Sequence, residues 1–167
     1  LTVRMSEASD AARLEATQDA ASKQTAMNQD GPIQFSFVVN FYNMRREAER
    51  TLTALTSSYQ RDAEGISWEV LCIDNGSDLP LEEDWIKSFG PQFRLIRPSR
   101  KLPSPCFAMN EAARLARGRY IALMIDGAHV VTPGAIREAA DAFAERPDAI
   151  VGLRQWFFGG DQRWLSA

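Results

Sequence analysis

Apolar and polar positions along this chain switch between a period near two and a period near 3.6. Phe35-Ser-Phe-Val-Val-Asn40 is a β-branched and aromatic run, which predicts a strand. Met44, Ala48, Leu52, Leu55 and Tyr59 then share one face of a helix over residues 44–59. Trp68–Ile73 predicts a second strand, Leu81–Phe89 a short helix and Phe93–Ile96 a third strand. Ser104-Pro105 supplies a cap and a first-turn proline for a helix that runs to about Ala116 and stops at Gly118. Tyr120–Ile125 is the most apolar run and predicts a central strand covered on both faces. Thr132-Pro133 opens another helix, with Ile136, Ala139, Ala140 and Phe143 toward the core. Ala149-Ile-Val151 is expected to open a fifth strand.

Strand and helix in alternation imply an α/β fold: a mostly parallel sheet with helices on both faces, a Rossmann-like three-layer sandwich cut off after about the fifth strand. Residues 33–158 form that domain. Residues 1–32 are rich in Ala, Ser, Gln, Asp and Thr and read as a flexible leader, ended by Asp30-Gly31-Pro32. Residues 159–167 read as a tail leading to an absent half, and Leu1 suggests a piece of a longer chain. The length of 167 residues suits one domain, and 45% hydrophobic residues suffice for a core. A net charge of −3 gives no reason to expect nucleic acid or an anionic membrane as partner. There is no membrane-spanning apolar run and no secretory signal. The two cysteines, Cys72 and Cys106, fit neither a disulfide framework nor a CxxC zinc pattern. The expected setting is the reducing cytoplasm.

In parallel sheets, ligands bind beyond the carboxyl ends of the strands. The residues there are Asn40-Phe41-Tyr42-Asn43, Asp74-Asn75-Gly76-Ser77, Pro98-Ser99-Arg100-Lys101 and Asp126-Gly127-Ala128-His129. No GxGxxG, GxxxxGK[ST] or GxSxG occurs, which argues against a dinucleotide fold, a P-loop and a hydrolase elbow. One histidine cannot make a His-rich zinc site. A tyrosine face can stack on a nucleobase. Asp74 can accept an imide N–H, and Asp126 can hold a ribose hydroxyl or a cation bridging a diphosphate. Arg100 and Lys101 can neutralise phosphate. Singly these signals are weak: Asp-Asn-Gly-Ser is by default a turn, and Tyr42 could merely pack over a helix end.

Taken in order, the segments resemble the amino-terminal half of a family-2 glycosyltransferase of the GT-A fold. The resemblance rests on Phe37-Val-Val-Asn40-Phe41-Tyr42-Asn43, on Ile73-Asp74-Asn75-Gly76-Ser77, on Ala108-Met109-Asn110 before Ala116-Arg-Gly-Arg-Tyr-Ile121, and on Ile125-Asp126-Gly127-Ala128-His129 leading to Pro133. It implies transfer of a sugar, with inversion, from a nucleotide-diphospho-sugar, expected to be a UDP-sugar, to an acceptor (glycan, lipid or small molecule). It implies a nucleotide-sugar site of Asn40, Tyr42, Asn43, Asp74, Arg100 and Asp126. It also implies a divalent cation, Mn²⁺ or Mg²⁺, at Asp126 and His129. The catalytic base is expected beyond the chain end.

The departures are specific. The usual second metal-motif acid is Ala128 here, so His129 is either a ligand or an ordinary turn histidine. Met109 replaces an arginine common in the family. Trp156-Phe157-Phe158 either line an acceptor pocket or pack against the absent half, and an exposed apolar patch would then promote self-association. Two other readings stay open: a non-catalytic binding or scaffold module on the same fold, and a nucleotidyltransferase. The second lacks its Gly-rich loop after the first strand.

Overall fold

The computed structural model describes residues 32–125 and 129–153. Four strands form one parallel sheet: β1 Phe35–Phe41, β2 Trp68–Asp74, β3 Phe93–Ile96 and β4 Tyr120–Met124, in the order β3-β2-β1-β4. The helices are α1 Arg45–Thr53, α2 Glu83–Lys87, α3 Cys106–Leu115 and α4 Ala135–Glu145. On one sheet face, Phe35, Phe37, Val39 and Phe41 pack with Ala48 and Leu52 of α1, Ile86 of α2 and Ile136 of α4. On the other, Val38, Leu71 and Ile73 meet Ala108, Met109 and Ala112 of α3. This is the expected three-layer arrangement.

The centre of the sheet is β1, with all seven residues buried. Among the described residues, Tyr120–Ile125 is not the central run that its composition predicts. β4 is the last strand in the described sheet, and its residues alternate between half-buried and exposed. Tyr120, Ala122 and Met124 pack on the first core. Ile121, Leu123 and Ile125 lie 47%, 61% and 63% exposed, while α3 packs on Val38, Leu71 and Ile73 of β1 and β2. Ala149–Val151 are not in strand conformation, so the fifth strand is absent among the described residues. They instead border an apolar cavity of about 320 Å³ between β4 and α4.

Helix boundaries shift for local reasons. The helix expected over 44–59 ends at Thr53. There Thr53 and Thr56 hydroxyls donate to main-chain carbonyls of Glu49 and Thr53, and Gln60 Nε2 donates to Ala54 O. Leu55 stays fully buried through the turns that follow. α3 starts at Cys106, one residue later than expected, with Ser104 Oγ accepting from Cys106 N at 3.3 Å. α4 is preceded by Gly134 in the left-handed region (φ 91°), not capped by Thr132.

At the amino ends of the strands, Glu69 is buried yet receives five hydrogen bonds. Ser36 Oγ and Arg117 N donate to Oε1; Arg94 and the Arg117 Nε and Nη2 groups donate to Oε2. Burial alone would raise its pKa. The Arg117 main-chain N–H, the Ser36 hydroxyl and the two guanidinium groups outweigh burial and hold it below the ordinary 4.5. Gly118 closes over this knot: a Cβ there would lie 2.5 Å from Ser36 N. The knot fastens the turn between α3 and β4 under the sheet and so sets the height of β4.

Candidate functional site

The chain builds β1, β2 and β3 outward on one side, then crosses to place β4 on the other side of β1. The crevice at such a reversal, beyond the carboxyl ends, is where open α/β sheets bind ligands. The described loops there are joined by side chains. Asn43, in the left-handed region at φ 55°, donates its main-chain N–H to Ser77 Oγ at 2.9 Å. Its Nδ2 donates to Asp78 Oδ2 at 3.1 Å, and its Oδ1 accepts from Asp78 N at 2.8 Å. The loops after β1 and β2 therefore form one unit. Asparagine suits this position because its short amide tolerates positive φ and bonds locally.

Asp74 is buried, and its carboxylate is used by its own loop. Oδ1 accepts from Gly76 N and Ser77 N at 3.2 and 2.9 Å, and Oδ2 accepts from Leu81 N at 2.7 Å. Gly76 sits at φ 89°, and a Cβ there would meet Lys101 Cδ at 2.7 Å. The Lys101 stem thus lies across this loop. Arg100 is exposed on the same connection.

The two asparagines at the strand ends differ from Asp74. Asn40 is 6% exposed, its Nδ2 directed at Ile125 O (3.5 Å), and its Oδ1 has no hydrogen-bond partner. Asn75 is 7% exposed, its Nδ2 donates to Leu102 O at 3.1 Å, and its Oδ1 also lacks a partner. An unmet buried acceptor costs about 1–3 kcal/mol. The fold keeps two of them on neighbouring strands, since Asn75 N donates to Phe41 O. Tyr42 lies beside them, 56% exposed, a large aromatic face left open to solvent.

The structure therefore joins Asn43 to the loop that Asp74 organises, through Ser77 and Asp78, and places Asn40 on the opposite sheet face; Tyr42 is exposed after β1 and Arg100 is exposed on the connection after β3. His129 is half-buried on the segment after β4. Asp126 lies outside the described residues, as do Ala128, Trp156, Phe157 and Phe158. Among the described residues no three His, Cys, Asp or Glu side chains converge, so no metal cage is built from them alone. No described helix is long and apolar enough to cross a membrane. Asn75 was not among the site residues expected from sequence. The signal was its position two residues past Ile73, on the same sheet face as Asn40.

A sequence profile described as glycosyl transferase family 2 matches residues 36–167. Among solved structures, S. aureus TarS residues 1–349 is similar in fold, with a TM-score of 0.59 at 18% identity, over 74% of this chain and 39% of that one. A second crystal structure of S. aureus TarS gives 0.56 at 18% identity, over 68% and 20%. No curated protein matches in sequence. The chain thus spans well under half the length of these structural neighbours.

Proposed function

The chain belongs to glycosyl transferase family 2, and from that premise we propose that it forms the donor side of a sugar transferase, holding a nucleoside-diphosphate sugar at the carboxyl ends of β1 and β2. The carrying observation is the pair of buried, unpartnered amide oxygens on Asn40 and Asn75 beside the exposed Tyr42 ring. The open Tyr42 ring offers a face on which a base can stack, and the strand-end amides add polarity without charge. Asn43 and Asp74 act through position: they clamp the two loops so that Asn40 and Asn75 keep their places. Arg100, with Lys101 beside it, is proposed to face the diphosphate.

In the proposed reaction, an acceptor hydroxyl oxygen bonds to the sugar's anomeric carbon as the bond from that carbon to the diphosphate oxygen breaks. The configuration inverts, the nucleoside diphosphate leaves with the electron pair, and the hydroxyl proton passes to a base on another part of the protein. A divalent cation, when bound, would neutralise charge on the diphosphate. Asp126 and His129 are the residues proposed to hold it together with the diphosphate oxygens; two protein ligands suit a hydrated cation better than a dedicated cage.

Calorimetric titration with nucleoside diphosphates, with and without Mn²⁺, tests this reading. Binding is expected, weakened by about 1–3 kcal/mol in Tyr42→Ala, with the Mn²⁺ effect lost in Asp126→Ala. Absence of binding to any nucleotide in a folded sample would leave a scaffold module as the better account. The exposed apolar face of β4 also supports self-association, expected as concentration-dependent mass in analytical ultracentrifugation; a monomer at all concentrations refutes it.

A further inference from the structure

We propose that the apolar cavity between β4 and α4 is the seat of this chain's own aromatic run, Trp156-Phe157-Phe158. Tyr120 and Ala122 of β4 form one wall, Ala139 and Phe143 of α4 the other, and the space holds about 320 Å³. Tyr120 and Phe143 stack with ring centroids 3.9 Å apart, so part of the wall is an aromatic surface on which a further ring can pack. Among the described residues that line the cavity, Arg119 alone is charged. A lining of this kind takes apolar side chains and gives a polar metabolite little to bond. The chain itself leads into this space. After α4 it borders the cavity at Ile150 and Leu153, which are 100% and 52% exposed, so the apolar mouth is open. Only Arg154 and Gln155 separate Leu153 from Trp156. Three residues span at most about 11 Å, which keeps the start of the run within reach of the cavity. The glycosyl transferase family 2 profile extends through residue 167, so the run is part of the matched domain. A short tether gives an effective concentration on the order of millimolar, which favours this segment over a second copy of the chain. The seat lies on the α4 side of β4, distinct from the face that carries Leu123 and Ile125.

Thiol accessibility tests the seat. Ala139→Cys in a Cys106→Ser background puts one thiol on the cavity wall, and the remaining cysteine, Cys72, is fully buried. Its modification by a maleimide is followed in the whole chain, with folding checked by circular dichroism. The rate is expected to rise roughly tenfold or more when Trp156, Phe157 and Phe158 are all replaced by alanine. An unchanged rate overturns the inference. Protection of the new thiol that appears only as protein concentration rises assigns the cavity to a second copy and also overturns it. A second measurement leaves Trp156 and Phe158 in place. Phe157→Cys is combined with Ala139→Cys in the same Cys106→Ser background and treated with a short bismaleimide. A link within one chain is expected, read as a cross-linked peptide from monomeric protein. Links only between chains, or none, overturn the inference, and this result decides alone if the triple-alanine variant does not fold.

Discussion

The two ends of the same sheet treat buried polar groups in opposite ways. At the amino ends, Glu69 collects five hydrogen bonds, and Ser36, Arg117 and Gly118 close around it. Among the buried side-chain atoms of the described residues there, Arg94 Nε alone lacks a partner. At the carboxyl ends, Asn40 and Asn75 each keep a buried oxygen unmet. Both ends carry buried polarity, so burial alone does not mark function. What separates them is satisfaction. The amino end ties its buried charge into the fold, whereas the carboxyl end leaves two buried acceptors unmet; the proposed donor site lies at that second end.

The contrast can be broken at its strong end first. Glu69→Ala removes the shared carboxylate partner of Arg94 and Arg117, leaving Arg94 its bond to Leu115 O, and is expected to cost about 3 kcal/mol in urea unfolding; a loss below about 1 kcal/mol would show that the knot is ornamental. The same group gives a pH signature. Its pKa is lowered on folding, so its contribution is full above the unfolded value near 4.5 and disappears as pH falls through the lower folded value. Thermal melts across the acid range should show this loss in the parent chain and a smaller one in Glu69→Gln. Gly118→Ala comes next, at roughly 1–3 kcal/mol, because the added methyl group meets the main chain of β1, which cannot give way. Unchanged stability there would mean that the α3–β4 turn is free to rise.

At the other end the same measurements should move little. Asn40→Ala removes an unmet acceptor and only a long hydrogen bond, so the stability of the ligand-free chain is expected to change by about 1 kcal/mol or less. Nucleotide affinity should fall by roughly tenfold in the same variant. A large stability loss with unchanged affinity would reverse the assignment and make Asn40 a structural residue.

Much of this was legible from sequence, and the failures are instructive. Phe93–Ile96 was placed to the residue, and the core positions Ile136 and Ala140 were read correctly from helical spacing. β4 reads as central because every residue of Tyr120–Ile125 is apolar, yet among the described residues it is the last strand. A two-sided apolar strand reads as central whether or not neighbours cover it, and its cover is a tertiary fact. At the site, Asn40, Tyr42, Asn43 and Asp74 were singled out by position after strands. Their division of labour was hidden. Sequence favours a carboxylate as the reader of a base, yet Asp74's oxygens turn inward to three main-chain N–H groups. Asn75, its unremarked neighbour, keeps the open acceptor, and only hydrogen-bond geometry separates the two.

The strand order carries a consequence for how the chain is made. β1 needs neighbours on both sides, but Tyr120 of β4 is translated about 85 residues after Phe35. At cellular elongation rates that gap lasts on the order of ten seconds. β2 arrives early and seals one flank. The other flank of the most buried strand stays open to solvent until β4 emerges. Each nascent chain thus passes through an interval in which Phe35–Val39 can be captured by a strand from a neighbouring ribosome, and a holding chaperone would act during that interval.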